Sequence, residues 1–191
     1  MNIRKNILWI TRTAVLIALL VTVQFITAPL GNQFVTGTAG NLIMIVAFLA
    51  CGLATGLTVS VLSPLCAFLA GIGPAFPPLI PFIALGNAVL IMIWFIFGLL
   101  NKSDKSGIRY KAISCVTAIS AAIIKFFALY IGIVKIAIPL LLNLNEKQSS
   151  LLTLSFSYPQ IVTAAIGGLL ALAIVPPIQK ALEARTSIVR K

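Results

Sequence analysis

Long apolar runs, separated by short polar or glycine- and proline-rich breaks, dominate the chain. A spanning helix needs about 20 mostly apolar residues, and that length test places six, at 8–29, 39–53, 55–72, 79–100, 110–138 and 157–182. The second and third are short and joined only by the turn around Gly52 and Gly56, so they form a tight hairpin, tilted or partly re-entrant. The break before the fourth run is the most unusual: AGIGPAFPPLIPFIALGN carries Pro74, Pro77, Pro78 and Pro81. Proline fixes φ and lacks an N–H, so the third helix is expected to end at Gly71 and the fourth to begin near Leu79. Residues 73–78, with Phe76 among them, then form a stiff irregular loop. Such a loop either closes over a cavity mouth or only connects two helices.

Composition fixes the solvent. Of 191 residues, 60% are hydrophobic and 9% charged, and the mean hydropathy is +1.13. These values lie outside the soluble globular range. The expected fold class is therefore an all-α integral membrane protein, a single six-helix domain over residues 1–191. The first run is too long, and lacks the small-residue cleavage site, for a removed signal peptide, so it reads as a retained span. A net charge of +11 raises nucleic acid as a partner, but the positions of the bases exclude it. Arg4, Lys5 and Arg12, then Lys102, Lys105, Arg109 and Lys111, then Lys180, Arg185, Arg190 and Lys191 all fall on one side of a six-span chain. The loops LGNQFVTGTAGN and GIGPAFPPLIP opposite carry no charge, and LLNLNEKQSS carries one of each sign. The positive-inside rule then puts both termini in the cytoplasm.

Missing chemistry excludes whole classes of function. The chain has no histidine, and its carboxylates, Asp104, Glu146 and Glu183, lie outside the apolar runs. A metal box, a paired-carboxylate site and a proton relay are therefore unavailable. Cys51, Cys66 and Cys115 read as small buried hydrophobes, not as metal ligands or disulfides. No metal and no cofactor is expected, and an enzyme ranks last. There is no phosphate-binding GxxxxGK[ST] loop, so active transport would draw its energy from a partner. No internal repeat is visible.

The polar residues that remain are candidates for a binding site. The loop before the second helix offers Asn32, Gln33, Thr36, Thr38 and Asn41 among Gly31, Gly37 and Gly40; it suits a neutral or zwitterionic small molecule, or is an ordinary solvated loop. Gln24, Asn87 and Gln160 stand within the outer halves of spans, where an unpaired amide costs several kcal/mol. Each alone is explained by an interhelical hydrogen bond; together, beside Phe34 and Tyr158, they suggest a pocket. Lys125 lies about 21 Å along the fifth helix from its basic end. A charge at that depth either meets a ligand carboxylate or phosphate, or snorkels outward. Lys135, nearer the helix end, is expected to snorkel.

In the first helix, TRTAVLIALLV sets Ala14 and Ala18 four residues apart, which lets another helix approach closely. With the TAGN start of the second helix, the IPFIALGN segment, the six spans and the chain length, this resembles the substrate-binding S component of an energy-coupling factor (ECF) vitamin transporter. The resemblance implies a bacterial plasma-membrane protein that captures a micronutrient in a pocket near the extracellular surface. Outer loops and the ends of helices four to six would form it. The partners implied are a transmembrane coupling protein, which Ala14 and Ala18 would face, and two ATPases, with the S component toppling in the bilayer to release its ligand. The chain lacks the aromatic-rich first loop of thiamin or riboflavin carriers and the histidine-bearing N-terminus of nickel and cobalt members. Cobalamin is favoured by the GxGPxFPPxIPFxxxGN segment, with pantothenate next. The rival readings are an assembly subunit of a membrane complex and a solitary facilitator.

Overall fold

The computed structural model describes residues 3–100 and 108–189, and these are all-helical. Arg4, Lys5, Lys102, Asp104, Lys105, Glu183, Arg185, Arg190 and Lys191 lie outside the residues whose side chains are described.

Helix α1 spans Ile3–Thr27, α2 Gln33–Cys51, α3 Leu53–Leu69, α4 Ile80–Leu100 and α5 Ile108–Leu129. The fifth element continues through a π-helical stretch, Tyr130–Ala137, into the short α6, Ile138–Leu141. Helix α7 covers Glu146–Ser155 and α8 covers Tyr158–Val189. Five helical segments are long and apolar enough to cross a membrane, and α3, at 17 residues, is a shorter apolar one. Many large apolar side chains on the outer faces, such as Leu19, Phe25, Ile96 and Leu169, are exposed, as expected where lipid rather than water is the solvent.

Three segments differ from the reading of the sequence. The first expected loop is mostly helix: α2 begins at Gln33, not at 39. Asn32 caps it, its side chain accepting the Phe34 N–H at 2.9 Å. Thr36, Thr38 and Asn41 therefore sit on a helix, Asn41 buried and the two threonines half-buried. The loop LLNLNEKQSS holds the extra helix α7, started by a reciprocal capping box between Asn145 and Gln148. The fifth span runs on to Leu141, its wider turns falling where Gly132 packs on the Phe82 ring. The 73–78 loop is irregular up to a 3₁₀ turn at Pro77–Leu79, and α3 ends at Leu69, two residues before Gly71.

Helix α8 packs along α2 and α5, α4 joins α5 and α3, and α1 lies against α2 and α3. Close approach has a local cause at Gly167. A β-carbon there would stand 2.9 Å from both Asn41 Cβ and Leu42 N, so only glycine lets α8 lie this near α2. One apolar cluster, with Leu20, Met44, Ile91 and Trp94, fills the bundle. A smaller one, Leu79, Leu129, Ile133 and Ala137, lies under the proline loop.

Candidate functional site

A cavity of about 340 Å³ opens between these two clusters. Its walls combine the C-terminal parts of α1, α3 and α5 with the N-terminal parts of α2, α4 and α8, so it sits at the proline-loop end of an alternating bundle. Leu20 and Met44 come from the larger cluster, Leu129, Ile83 and Phe156 from the side of the smaller one. Ile72, Gly73 and Pro74 bring the loop itself to the wall.

The polar wall is organised around Lys125, which is 3% exposed and does not reach out to the surface. Its Nζ donates to Asn41 Oδ1 at 2.6 Å and to Asn87 Oδ1 at 2.8 Å. Both amides are held from behind. Asn87 Nδ2 donates to the Ser60 carbonyl at 3.4 Å, an oxygen made available because Pro64, four residues on, has no N–H to offer it. Asn41 Nδ2 donates to Thr163 Oγ1 at 3.3 Å, and that hydroxyl donates to the Gln160 carbonyl at 3.4 Å. The donor-only lysine and the acceptors behind fix which way each amide faces. Among the described residues Lys125 is the one buried charge.

A second polar layer lies nearby. Gln33 Nε2 and Gln160 Nε2 both donate to the Ser155 carbonyl, at 2.6 and 3.1 Å. Gln24 lines the cavity with its Oε1 buried and without a hydrogen-bond partner. Such an oxygen is costly in an apolar setting unless something supplies a donor.

Of the residues singled out in the sequence, Gln24, Gln33, Thr36, Asn41, Asn87, Lys125 and Gln160 line this cavity, with Gly37 and Gly40 between them, and Thr38 does not. Asn32, Phe34, Phe76 and Tyr158 do not. Asn32 is spent as the cap of α2, Phe34 and Tyr158 pack on each other at 6.4 Å between ring centres on the exposed side, and Phe76 packs on the smaller apolar cluster. Lys135 is exposed, with its Nζ 5.7 Å from the centre of the Tyr130 ring. Ala14 and Ala18 are both exposed on α1, whose Thr13 and Leu20 face the core. Ser60, Ser63, Pro64, Phe156 and Thr163 were not anticipated. The signal for the first three was present as SVLSP, a proline that strips a carbonyl of its partner one turn earlier.

A second cavity, about 390 Å³, lies at the opposite end of the bundle among Phe48, Trp94, Thr117, Val175 and Gln179. Trp94 Nε1 is buried there without a partner. Lys180 at its edge is exposed. It therefore lacks the buried charge that distinguishes the first.

No curated protein and no solved structure matches the chain. A family model described as the substrate-specific component of ECF transporters matches residues 9–179. That match covers nearly all of the apolar bundle, including every residue of the Lys125 network. The chain therefore belongs to the family of ECF transporter substrate-specific components, membrane subunits of transporters and not enzymes.

Proposed function

We propose that this chain captures a small nutrient in the Lys125 cavity, at the extracellular face of the bacterial plasma membrane, and hands it to an ATP-driven ECF module. Family membership supports a substrate-specific membrane subunit that works with a transmembrane component and ATPases. The observation that carries the location of the site is a buried polar cavity holding an ammonium group inside an apolar bundle. A subunit with a purely structural role has no use for such a cavity, since a buried charge is expensive to keep.

The coupling module consists of one transmembrane protein and two ATPases in this reading. Ala14 and Ala18 form its contact, and their exposure on α1 supports that. Both termini lie in the cytoplasm, which turns the proline loop outward and makes residues 72–74 the gate of the cavity. The volume bears on the substrate. Ligand sites for small organic molecules span roughly 300 to 1,000 Å³, and 340 Å³ accommodates a pantothenate-sized molecule. A corrinoid is several times larger, so pantothenate is the better supported of the two vitamins weighed from sequence.

Reconstitution tests this reading. Liposomes containing the chain and an ECF module should accumulate radiolabelled nutrient only with internal ATP. Accumulation without any module would favour a solitary facilitator, and failure to bind any nutrient would favour an assembly subunit.

A further inference from the structure

The charge balance of the cavity identifies the class of its ligand; this step rests on the nutrient-binding function proposed above. An ammonium group has three N–H donors. Lys125 spends two on Asn41 and Asn87, both neutral. Among the described residues no carboxylate pairs with it: Glu146 is exposed on α7, and Asp104 and Glu183 lie outside the residues whose side chains are described. A buried charge needs a partner of opposite sign. The wall of a cavity is where that partner can arrive from outside.

The rest of the wall narrows the chemistry. The amide NH2 groups of Asn41 and Asn87 face Thr163 and Ser60, where each spends one of its two N–H donors, while their oxygens face the ammonium; the charge a ligand meets on this wall is that of Lys125. One positive charge with one remaining N–H matches a single carboxylate; a phosphate dianion would bring surplus negative charge into a medium that screens it poorly. Gln24 Oε1, buried and unpartnered in the same cavity, asks the opposite of the ligand, a hydrogen-bond donor.

We infer that the site selects a small monocarboxylate that also carries a hydroxyl or amide N–H, with Lys125 receiving the carboxylate and Gln24 Oε1 receiving the donor. Asn41 and Asn87 are positioning residues that aim the ammonium. Cationic nutrients are excluded by charge rather than by shape.

Acid and neutral versions of one skeleton separate charge from shape. The detergent-purified full chain is titrated with pantothenate against pantothenol and with nicotinate against nicotinamide, alongside thiamin and pyridoxine, following Kd and unfolding temperature. At least one acid should bind 100-fold or more tightly than its neutral counterpart. Lys125→Met should abolish that preference and Lys125→Arg should retain part of it. Thermal unfolding of the unliganded Lys125→Met protein serves as the check of fold, because methionine keeps the volume and removes the buried charge but leaves Asn41 Oδ1 and Asn87 Oδ1 without their donor; Lys125→Arg keeps both charge and donors. Equal binding of acid and alcohol, or a nutrient held equally well by wild type and Lys125→Met, overturns the inference while leaving the nutrient-binding function standing. No binding of any nutrient, acidic or neutral, removes that function and this inference together.

Discussion

Pro64 acts through an oxygen four residues away. By withholding an N–H it leaves the Ser60 carbonyl to the Ser63 hydroxyl and to Asn87, and Asn87 then turns its own oxygen to Lys125. Pro64→Ala should let the helix reclaim that carbonyl, leaving stability equal or improved while ligand affinity falls about tenfold, that is about 1.4 kcal/mol, the upper part of the range of one net hydrogen bond. Titration and thermal unfolding of the same preparation check the two halves. Asn87→Asp is a sharper probe of charge. It places an internal carboxylate 2.8 Å from Lys125 and so competes with the ligand for the ammonium. The variant keeps the contact to Lys125 but loses the N–H that Asn87 gives the Ser60 carbonyl, so it should unfold somewhat earlier and lose acid binding by at least 100-fold; retained affinity, measured by calorimetry, would show that Lys125 does not meet the ligand's charge. Lys125 was conspicuous in the sequence because charges at such depth are rare. What sequence left open was its direction, because burial and snorkelling are decided by neighbours on other helices.

At the scale of elements, the helices were legible where apolar length alone sets them, and the errors gather where polar residues also coil. Thr36, Thr38 and Asn41 looked like loop because amide- and hydroxyl-rich segments usually are; Asn32 as a cap and a buried place for Asn41 made them the first turns of α2. The extra helix α7 was announced by Asn145 and Gln148, a capping pair whose spacing is readable in sequence. Pairings between elements were not readable. Asn41 meets Lys125 because α8 can lie close to α2 at Gly167, a contact that no local pattern encodes. Gly167→Ala should push α8 away from α2, costing about 1–3 kcal/mol as overpacking usually does. Its unfolding temperature should drop and its ligand affinity with it, whereas Gly31→Ala, in a turn with open space around it but a φ of +63°, should cost stability through backbone strain and leave affinity nearly unchanged.

For the whole molecule, the proposed function assigns nutrient binding and module docking to different parts of the bundle. The proline-loop end holds the buried ammonium and its cavity, while Ala14 and Ala18 stand exposed in the middle of α1 and do not line that cavity. Bulky replacements, Ala14→Trp with Ala18→Trp, should therefore abolish co-purification with an ECF module and leave nutrient affinity within about twofold of wild type. Intact complex formation by the double variant would remove α1 as the contact. The membrane class and the transporter family were legible in composition and a few short segments, while the number of spans read from the sequence, six, stands against five helices long enough to cross and one shorter apolar helix. The identity of the nutrient was not, since it depends on a volume and a charge balance assembled from six helices. The most direct measurement of the central claim is mass spectrometry of small molecules that co-purify with wild type and with Lys125→Met from cells grown on a full vitamin supplement. A small carboxylate enriched on the wild type and absent from the variant is the expected result; a coloured corrinoid, a cationic vitamin, or the same molecule held equally by both proteins would contradict it.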